Sequence, residues 1–381
     1  MNRTTLCALM LVATAGLLIA GPLSPPAGSV APTYKTLADV EPRIALSASN
    51  TPGDADSMFR ILNAGSYYLT DILLVGPGKA GIEIATDDVT IDLNGFRIGG
   101  IAGTLDGIRI TGTNHRNITI RNGIIEHLQG DGINLLSDSG ITDTRGCHLE
   151  NLTIADCTLL GIRLSSGTLV ESCSVLNNAS GGIVAAAPSA NTGCVIRSCI
   201  ARGNGINGGI LPADHAVVEN CMSENNAGDG IFVLDGSLVV GCACSGNASD
   251  GIEAESSTIS GCTASGNSHN GILARSNSVI RGNNAFGNGV SGSGAGIAVG
   301  LSGTRIEGNN LVGNVVGLQV LGSANVIVAN TASGNSPNYS IVASNRYGPI
   351  VNLTASGAAA ASGNAAASTL TSTDPFANFA Y

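Results

Sequence analysis

Apolar and polar positions in this chain alternate in short bursts, and the bursts recur. Each of eleven Gly residues from Gly81 to Gly317 is followed by an apolar residue, a variable one, then usually a second apolar or small one. Gly161-Ile162-Arg163-Leu164 and Gly251-Ile252-Glu253-Ala254 are examples. Alternation of period two over so short a span predicts a strand with one buried face. The marks lie 20 to 29 residues apart, and self-similarity at this period predicts a repeat architecture. The pattern is plainest at 221–272, where CMSENNAGDGI, CACSGNASDGI and CTASGNSHNGI succeed one another.

A second apolar file (Ile154, Val170, Ile196, Val218 and on to Ile327) stands three residues before a small position that reads as an inward rung. That rung is Asn94, Gly123, Cys157, Cys173, Cys199, Cys221, Cys242, Cys262, Asn283, Asn309 and Asn330. From Cys173 on, an Asn follows five residues later in eight successive repeats, Asn178 to Asn335. Two or three short strands per repeat, turned by Gly and Asn and stacked in parallel, predict an all-β right-handed parallel β-helix. The handedness follows from the crossover rule. The marks give about 11–12 coils, with Ser340-Ile341 the last and most degraded, and a rod on the order of 55 Å long.

The two ladders have a physical reading. A buried Asn needs partners for its amide, and stacked coils offer the same amide above and below. Cys is a small hydrophobe at home inside, and stacked parallel side chains hold Cβ atoms farther apart than a disulfide prefers. Six buried ladder thiols are therefore expected rather than three bridges, with Cys147, Cys194 and Cys244 left open. Two irregularities stand out. Cys157-Thr158-Leu159-Leu160-Gly161 is too short for its coil and predicts a notch. Pro212 removes a ladder donor and predicts a projecting turn at 213–215.

Composition narrows the class. Charged residues are 12% and aromatics 3%, with no Trp, and the formal net charge is −10. That balance argues against nucleic acid or an anionic membrane surface as partner. Residues 1–20, with one charge at Arg3 and an apolar run from Leu6 to Ala20, read as an export signal. The run is too short for a comfortable membrane span, and no later stretch reads as transmembrane. The expected organisation is signal 1–20, Pro/Gly-rich linker 21–35, capping segment 36–80, β-helix 81–348, and a degraded last coil with C-terminal cap at 349–381. The expected location is extracellular, cell-surface or periplasmic.

With these residues in view, VTIDLNGFRIGG (89–100), ITIRNGII (118–125) and the recurrent DGI resemble bacterial secreted right-handed parallel β-helix repeat proteins of the pectate-lyase-like superfamily. TPGDADSMFRILNAGSYYLT (51–70) resembles the capping segment of one such group. The resemblance covers about 50–381 and implies the fold. Its functions range over lyases, hydrolases, epimerases, adhesins and spikes. The superfamily's enzymes work on the outer face of one sheet.

Two outward rows of that face carry the candidates. Asp106, Arg109, Asp131 and Arg163 are the candidates for chemistry: a carboxylate pair with Arg suits a lyase or epimerase that neutralises a uronate and removes its proton, with Ca²⁺ as the cofactor in that case and none otherwise. Asp214 and His215 are a lesser candidate pair. Asp229 and Asp250 are candidate Ca²⁺ ligands, and Val184, Leu211 and Phe232 an exposed apolar row for a glycan or partner. Against these stand ordinary readings: Asp before Gly is turn chemistry, and Glu83/Arg109 and Glu255/Arg275 are cross-strand charge pairs. The sequence carries no polygalacturonase-type signature and no Asp-Pro-His-Asp run. The leading expectation is an exported structural, adhesive or glycan-contacting β-helix. A polysaccharide lyase, epimerase or hydrolase is the alternative, and the oligomeric state is open, a trimeric spike-like fibre included.

Overall fold

The computed structural model describes residues 42–136, 144–185, 193–352 and 374–381. The chain divides into two compact units, Met1–Pro42 and Arg43–Tyr381, and all described residues but Pro42 belong to the second. The expected signal and linker (1–35), the start of the expected cap, and the low-complexity 355–368 lie outside the described residues.

Thirteen strands, from Ser57–Ile61 to Tyr339–Ile341, form one parallel sheet (sheet 1), each pairing with the same segment one coil on. The other 26 strands form one sheet bent into two faces: sheet 2, which includes Leu169–Glu171 and Val195–Arg197, and sheet 3, which includes Ser174–Leu176 and Ile200–Arg202. Ile118–Glu126 and His148–Ala155 each run through both faces. The result is an all-β parallel solenoid of 13 turns, one or two more than the marks counted. The added coil is the first. Phe59 pairs with Ile82 and Ser57 with Ala80, so 57–74, expected to cap the stack, are its opening turn. It was missed because Met58-Phe59 stands where later coils have Gly-Ile. Residues 43–56 lie against that turn: Ile44 pairs with Tyr67, Leu46 is buried, and Pro52 bridges Phe59.

The Gly-Ile mark has a steric cause. The Ile column from Ile82 to Ile297 is fully buried, each side chain contributing about 1.5–3 kcal/mol. The Gly before it lies where coils touch: a Cβ on Gly230 would sit 2.5 Å from the Gly251 carbonyl and 2.7 Å from Asn247 Nδ2.

Between Gly167 and Asn335 three corners turn each coil, and each uses one device: a residue with left-handed φ, then an inward small residue. In one coil these are His215-Ala216, Asn220-Cys221 and Asn225-Asn226. Gly and Asn recur at the first position because they tolerate φ near +60°. The second positions stack as ladders. Asn247 is typical: its Oδ1 accepts the backbone N–H (3.1 Å) and Nδ2 (3.0 Å) of Asn226, and its Nδ2 donates to Asn267 Oδ1 (2.9 Å) and to the Ser223 carbonyl (3.1 Å).

Register corrects one rung. Thr153 pairs with Ser174 and Ala155 with Leu176, so Leu152 aligns with Cys173 and Cys157 with Asn178. The Cys157 N–H donates to Asn178 Oδ1 at 3.1 Å. Cys157 is therefore the first rung of the Asn ladder, and its coil is complete, without a notch. Five thiols remain on the other ladder, Cys173 to Cys262. All nine described cysteines are buried and free. Burial raises the thiol of Cys147 to about 11 and that of Cys157 to about 12. A third ladder follows the corner after sheet 1 and includes Cys147, Thr168 and Cys194, then Ala216, Ser237, Ser257, Ser278, Thr304, Asn325 and Asn345. From Ala216 on, each backbone N–H donates to the next rung's side-chain oxygen.

Two further differences concern the end and the middle. Leu318 pairs with Tyr339, not Ile341, so the last mark sits two residues earlier than read. Asn378–Ala380 pairs with both Thr331–Ser333 and Ile350–Asn352, lying between them, and Asn378 Oδ1 accepts the Asn330 N–H at 3.0 Å. The aromatic tail thus supplies a rung. At Pro212 the register shifts between Ile210 and Ala213. The proline sits in a β-bulge, where its missing donor is tolerated. The bulge takes up the extra residue, so the turn expected to project at 213–215 stays in the stack: Ala213 pairs with Val233 and the His215 N–H donates to the Asp235 carbonyl.

Candidate functional site

The outward row of sheet 1 begins with charge. Arg60, Glu83, Arg109, Asn134 and Arg163 are successive register partners, continued by Val184 and Leu211. A β-strand fixes these directions, since alternate side chains leave on one face. Glu83 is buried beneath its neighbours. It meets Arg60 Nε at 2.9 Å, Arg109 at 2.8 Å and the Thr111 hydroxyl at 3.0 Å. Arg109 also reaches Asp56 at 2.6 Å, and Arg60 reaches Asp54 at 2.9 Å. These groups, with Thr113 and His115, line an open depression of about 500 Å³. The Ser57 hydroxyl, with the Arg60 charge behind it, holds the Asp54 carboxyl down at about 2. His115 Nδ1 lies 2.9 Å from Asp87 Oδ1, and that hydrogen bond lowers Asp87. Arg109 and its Glu83 pairing are legible in the row, whereas Arg60, Asp54 and Asp56 come from the first coil and the segment just before it.

The four chemical candidates are neighbours, as the row implies, but each already has partners. Arg109 is taken by Glu83 and Asp56. Asp131, 1% exposed, pairs with Arg163 at 2.5 and 3.2 Å. Asp106 accepts from Asn134 Nδ2 at 3.2 Å. Both carboxylates have a scaffold role as well: Asp106 Oδ1 accepts the Asp131 N–H (2.7 Å), and Asp131 Oδ1 accepts the Leu160 N–H (2.8 Å). The same device recurs below. Asp229 accepts the Asp250 N–H at 2.9 Å, Asp250 the Asn270 N–H at 2.7 Å, and Asn270 the Ala295 N–H at 2.8 Å. The Asp-before-Gly row is a fourth side-chain ladder, on the outer surface. Burial, then the neighbouring Asp131 charge, raises Asp106. Burial, with Asp229 beside it, raises Asp250. Asp229, Asp250 and Glu253 present ligand oxygens within 4.8 Å of one another, and Glu253 is the partner of Arg275, where Glu255 had been expected.

The apolar row is less open than read. Val184 is 7% exposed, and Leu211 and Phe232 are half-buried. Glycines explain it: a Cβ on Gly181 would lie 3.2 Å from Val184 Cγ2, and one on Gly208 3.1 Å from Leu211 Cδ1. Both side chains therefore lie down on bare backbone. His215 is exposed beside a half-buried Asp214, its backbone N–H donating to the Asp235 carbonyl at 2.8 Å. No ion pair joins the two among the described residues.

Comparison with known proteins follows the fold. The sequence profile of a family described as "Right handed beta helix region" matches residues 60–237 and 210–336. No curated protein sequence matches the chain. Among solved structures, the A-module of mannuronan C-5 epimerase AlgE6 from Azotobacter vinelandii superposes with a TM-score of 0.59 at 16% identity, covering 75% of this chain and 88% of its own. The A-module of mannuronan C-5 epimerase AlgE4 from the same organism gives 0.48 at 17%, covering 71% and 82%. At these identities the likeness is one of fold. No helix among the described residues is long and apolar enough to cross a membrane.

Proposed function

Because the chain belongs to the right-handed β-helix family, we propose that it is an exported, non-catalytic member that contacts polysaccharide along the outer face of sheet 1. One observation carries the reading: the unbroken file from Arg60 to Arg163, in which every Arg is already fixed by a carboxylate. Pre-oriented guanidinium groups suit recognition of a sugar carboxylate or vicinal hydroxyls, because their geometry is set before the ligand arrives. The depression at Arg60 and Arg109 gives that file a concave start, and Phe232 marks its far end. The carboxylates that a lyase or epimerase would use as base are engaged as N–H acceptors and ion-pair partners, which supports contact without turnover. The A-module with the same fold is named as an epimerase of mannuronan, and this supports an acidic glycan as the class to try first.

A second reading keeps Asp106 as an acid–base group, on the ground that its raised carboxyl pKa lies closer to a working pH than an ordinary one. One experiment separates the two. The purified chain is run by affinity electrophoresis through gels of alginate, polygalacturonate and neutral glucan, and parallel incubations with and without Ca²⁺ are followed for unsaturated products by absorbance and for epimerised ones by proton NMR. Retardation by an acidic glycan, relieved in Arg109→Ala or Arg163→Ala, with no product, is the expected result. Product that disappears in Asp106→Asn would establish the enzyme instead. Absence of both retardation and product would remove glycan contact altogether.

A further inference from the structure

Sheet 2 carries a cluster that the contact face does not use. His148 and Glu150 leave the same strand two residues apart, and Glu150 is the register partner of Glu171 on the next. All three therefore stand on one outward face, held by parallel strands. His148 Nε2 lies 2.9 Å from Glu171 Oε1 and 3.8 Å from Glu150 Oε2, and the three ligand atoms lie within 4.8 Å of one another. Each carboxylate divides its two oxygens in the same way. Glu171 gives Oε2 to Arg197 at 2.6 and 2.7 Å, and Glu150 gives Oε1 to Arg121 at 3.5 Å. The remaining oxygen of each turns toward the imidazole nitrogen.

We propose that His148, Glu150 and Glu171 form a binding site for a zinc-class divalent ion, with water completing the coordination. Two physical arguments carry it. Zinc takes one nitrogen and carboxylate oxygens at about 2.0–2.2 Å in a tetrahedron, which sets ligand atoms about 3.3 Å apart. The distances of 2.9 and 3.8 Å straddle that value, and the two carboxylate oxygens lie within 4.8 Å of each other, so side-chain rotation without backbone movement brings the three onto one ion. Second, ligating carboxylates in metal sites are themselves hydrogen-bonded through the other oxygen, which orients the ligand. Arg121 and Arg197 do this here. The mixed nitrogen and oxygen set favours zinc, cobalt or nickel over calcium, which takes oxygen alone and more of it. Without an ion, the imidazole lies between two carboxylates on adjacent strands.

The test is titration of the tag-free, metal-free full chain with ZnCl₂ by calorimetry, and with CoCl₂ by visible absorption. The expected result is one saturable site per chain and a cobalt spectrum lacking the thiolate charge-transfer band that the cysteines would give. His148→Ala and Glu171→Gln should each weaken binding by at least about tenfold. Circular dichroism and the urea midpoint show whether each variant is folded. Asp250→Asn, at the acidic cluster on sheet 1, should leave the affinity unchanged. Absence of saturable binding, a thiolate band, or an affinity unchanged in folded His148→Ala would each overturn the assignment.

Discussion

The Asn ladder can be tested at its centre. Asn247 is fully buried, and truncating it to Ala removes four hydrogen bonds. The losses are unequal. Asn226 Nδ2 keeps the Ala201 carbonyl and the Ser223 hydroxyl, and Asn267 Oδ1 keeps the Asn247 N–H. The backbone N–H of Asn226 loses its acceptor, and a buried donor without an acceptor costs about 1–3 kcal/mol. The void left by three heavy atoms and the forfeited Ser223 contact bring the sum to about 3 kcal/mol. Asn335→Ala removes an equivalent side chain at the half-buried end of the same ladder and should cost about 1 kcal/mol, because water can replace the lost oxygen. Urea unfolding followed by circular dichroism gives both numbers, provided the transition is single and its slope is unchanged. An Asn247→Ala cost below about 1 kcal/mol, or one equal to that of Asn335→Ala, would refute the claim that the ladder holds the coils together by satisfying buried N–H groups.

Other outcomes follow from the same geometry. Gly266, at φ +62° with open space around its Cα, should accept Asn at a cost of about 0.5 kcal/mol, since Asn177 and Asn225 occupy the same corner; Val there should cost about 2 kcal/mol or more in urea unfolding. Gly230→Ala should cost more still, because its methyl meets a backbone carbonyl. Asp250→Asn keeps the oxygen that caps Asn270 and removes a buried charge beside Asp229. The carboxyl pKa is raised in the fold, so the fold binds that proton more tightly than the unfolded chain does. The charge therefore destabilises above the raised pKa and not below the ordinary one. The variant should be more stable than wild type at neutral pH, with the difference fading as pH falls through that window. The opposite sign holds for Asp87 and Glu171, lowered by His115 and by Arg197 with His148: stability present at neutral pH is lost as pH drops through their folded values. None of the nine buried thiols should react with a thiol reagent in the native chain, and all should react in guanidinium.

How much was legible depended on repetition of a residue type. The sheet 1 row was read in register because Gly-Ile marks it with one dipeptide, fixed by contact between coils. The third ladder was missed because its rungs span Cys, Thr, Ala, Ser and Asn. What they share is small size and a preceding left-handed residue, such as Gly193 before Cys194 or Asn277 before Ser278, and that pairing was the usable signal. Cys157 resembles the Cys rungs by residue type and the Asn rungs by spacing, and the spacing decides its place. Its distance to the following Gly is four residues, as for Asn178, Asn226, Asn247 and Asn267. The partial burial of Val184 and Leu211 depends on side chains that are absent at Gly181 and Gly208. The engagement of Arg109 by Asp56, and of Asp106 and Asp131 by N–H groups one rung on, was set by residues outside the row. Neither leaves a trace in a linear pattern.

The strand Asn378–Ala380 makes winding order differ from stacking order. Elsewhere each turn is laid directly on the one before it, so folding can follow the chain. Here Ile350–Asn352 precedes Asn378–Ala380 in sequence but lies beyond it in the stack. A chain that winds as it is made brings Ile350–Asn352 to Thr331–Ser333 first, with the later strand still missing. That provisional neighbour then has to give way, or the slot has to stand open until the intruder arrives. Alone among the described coils, this turn cannot be finished by propagation and has to be closed by insertion.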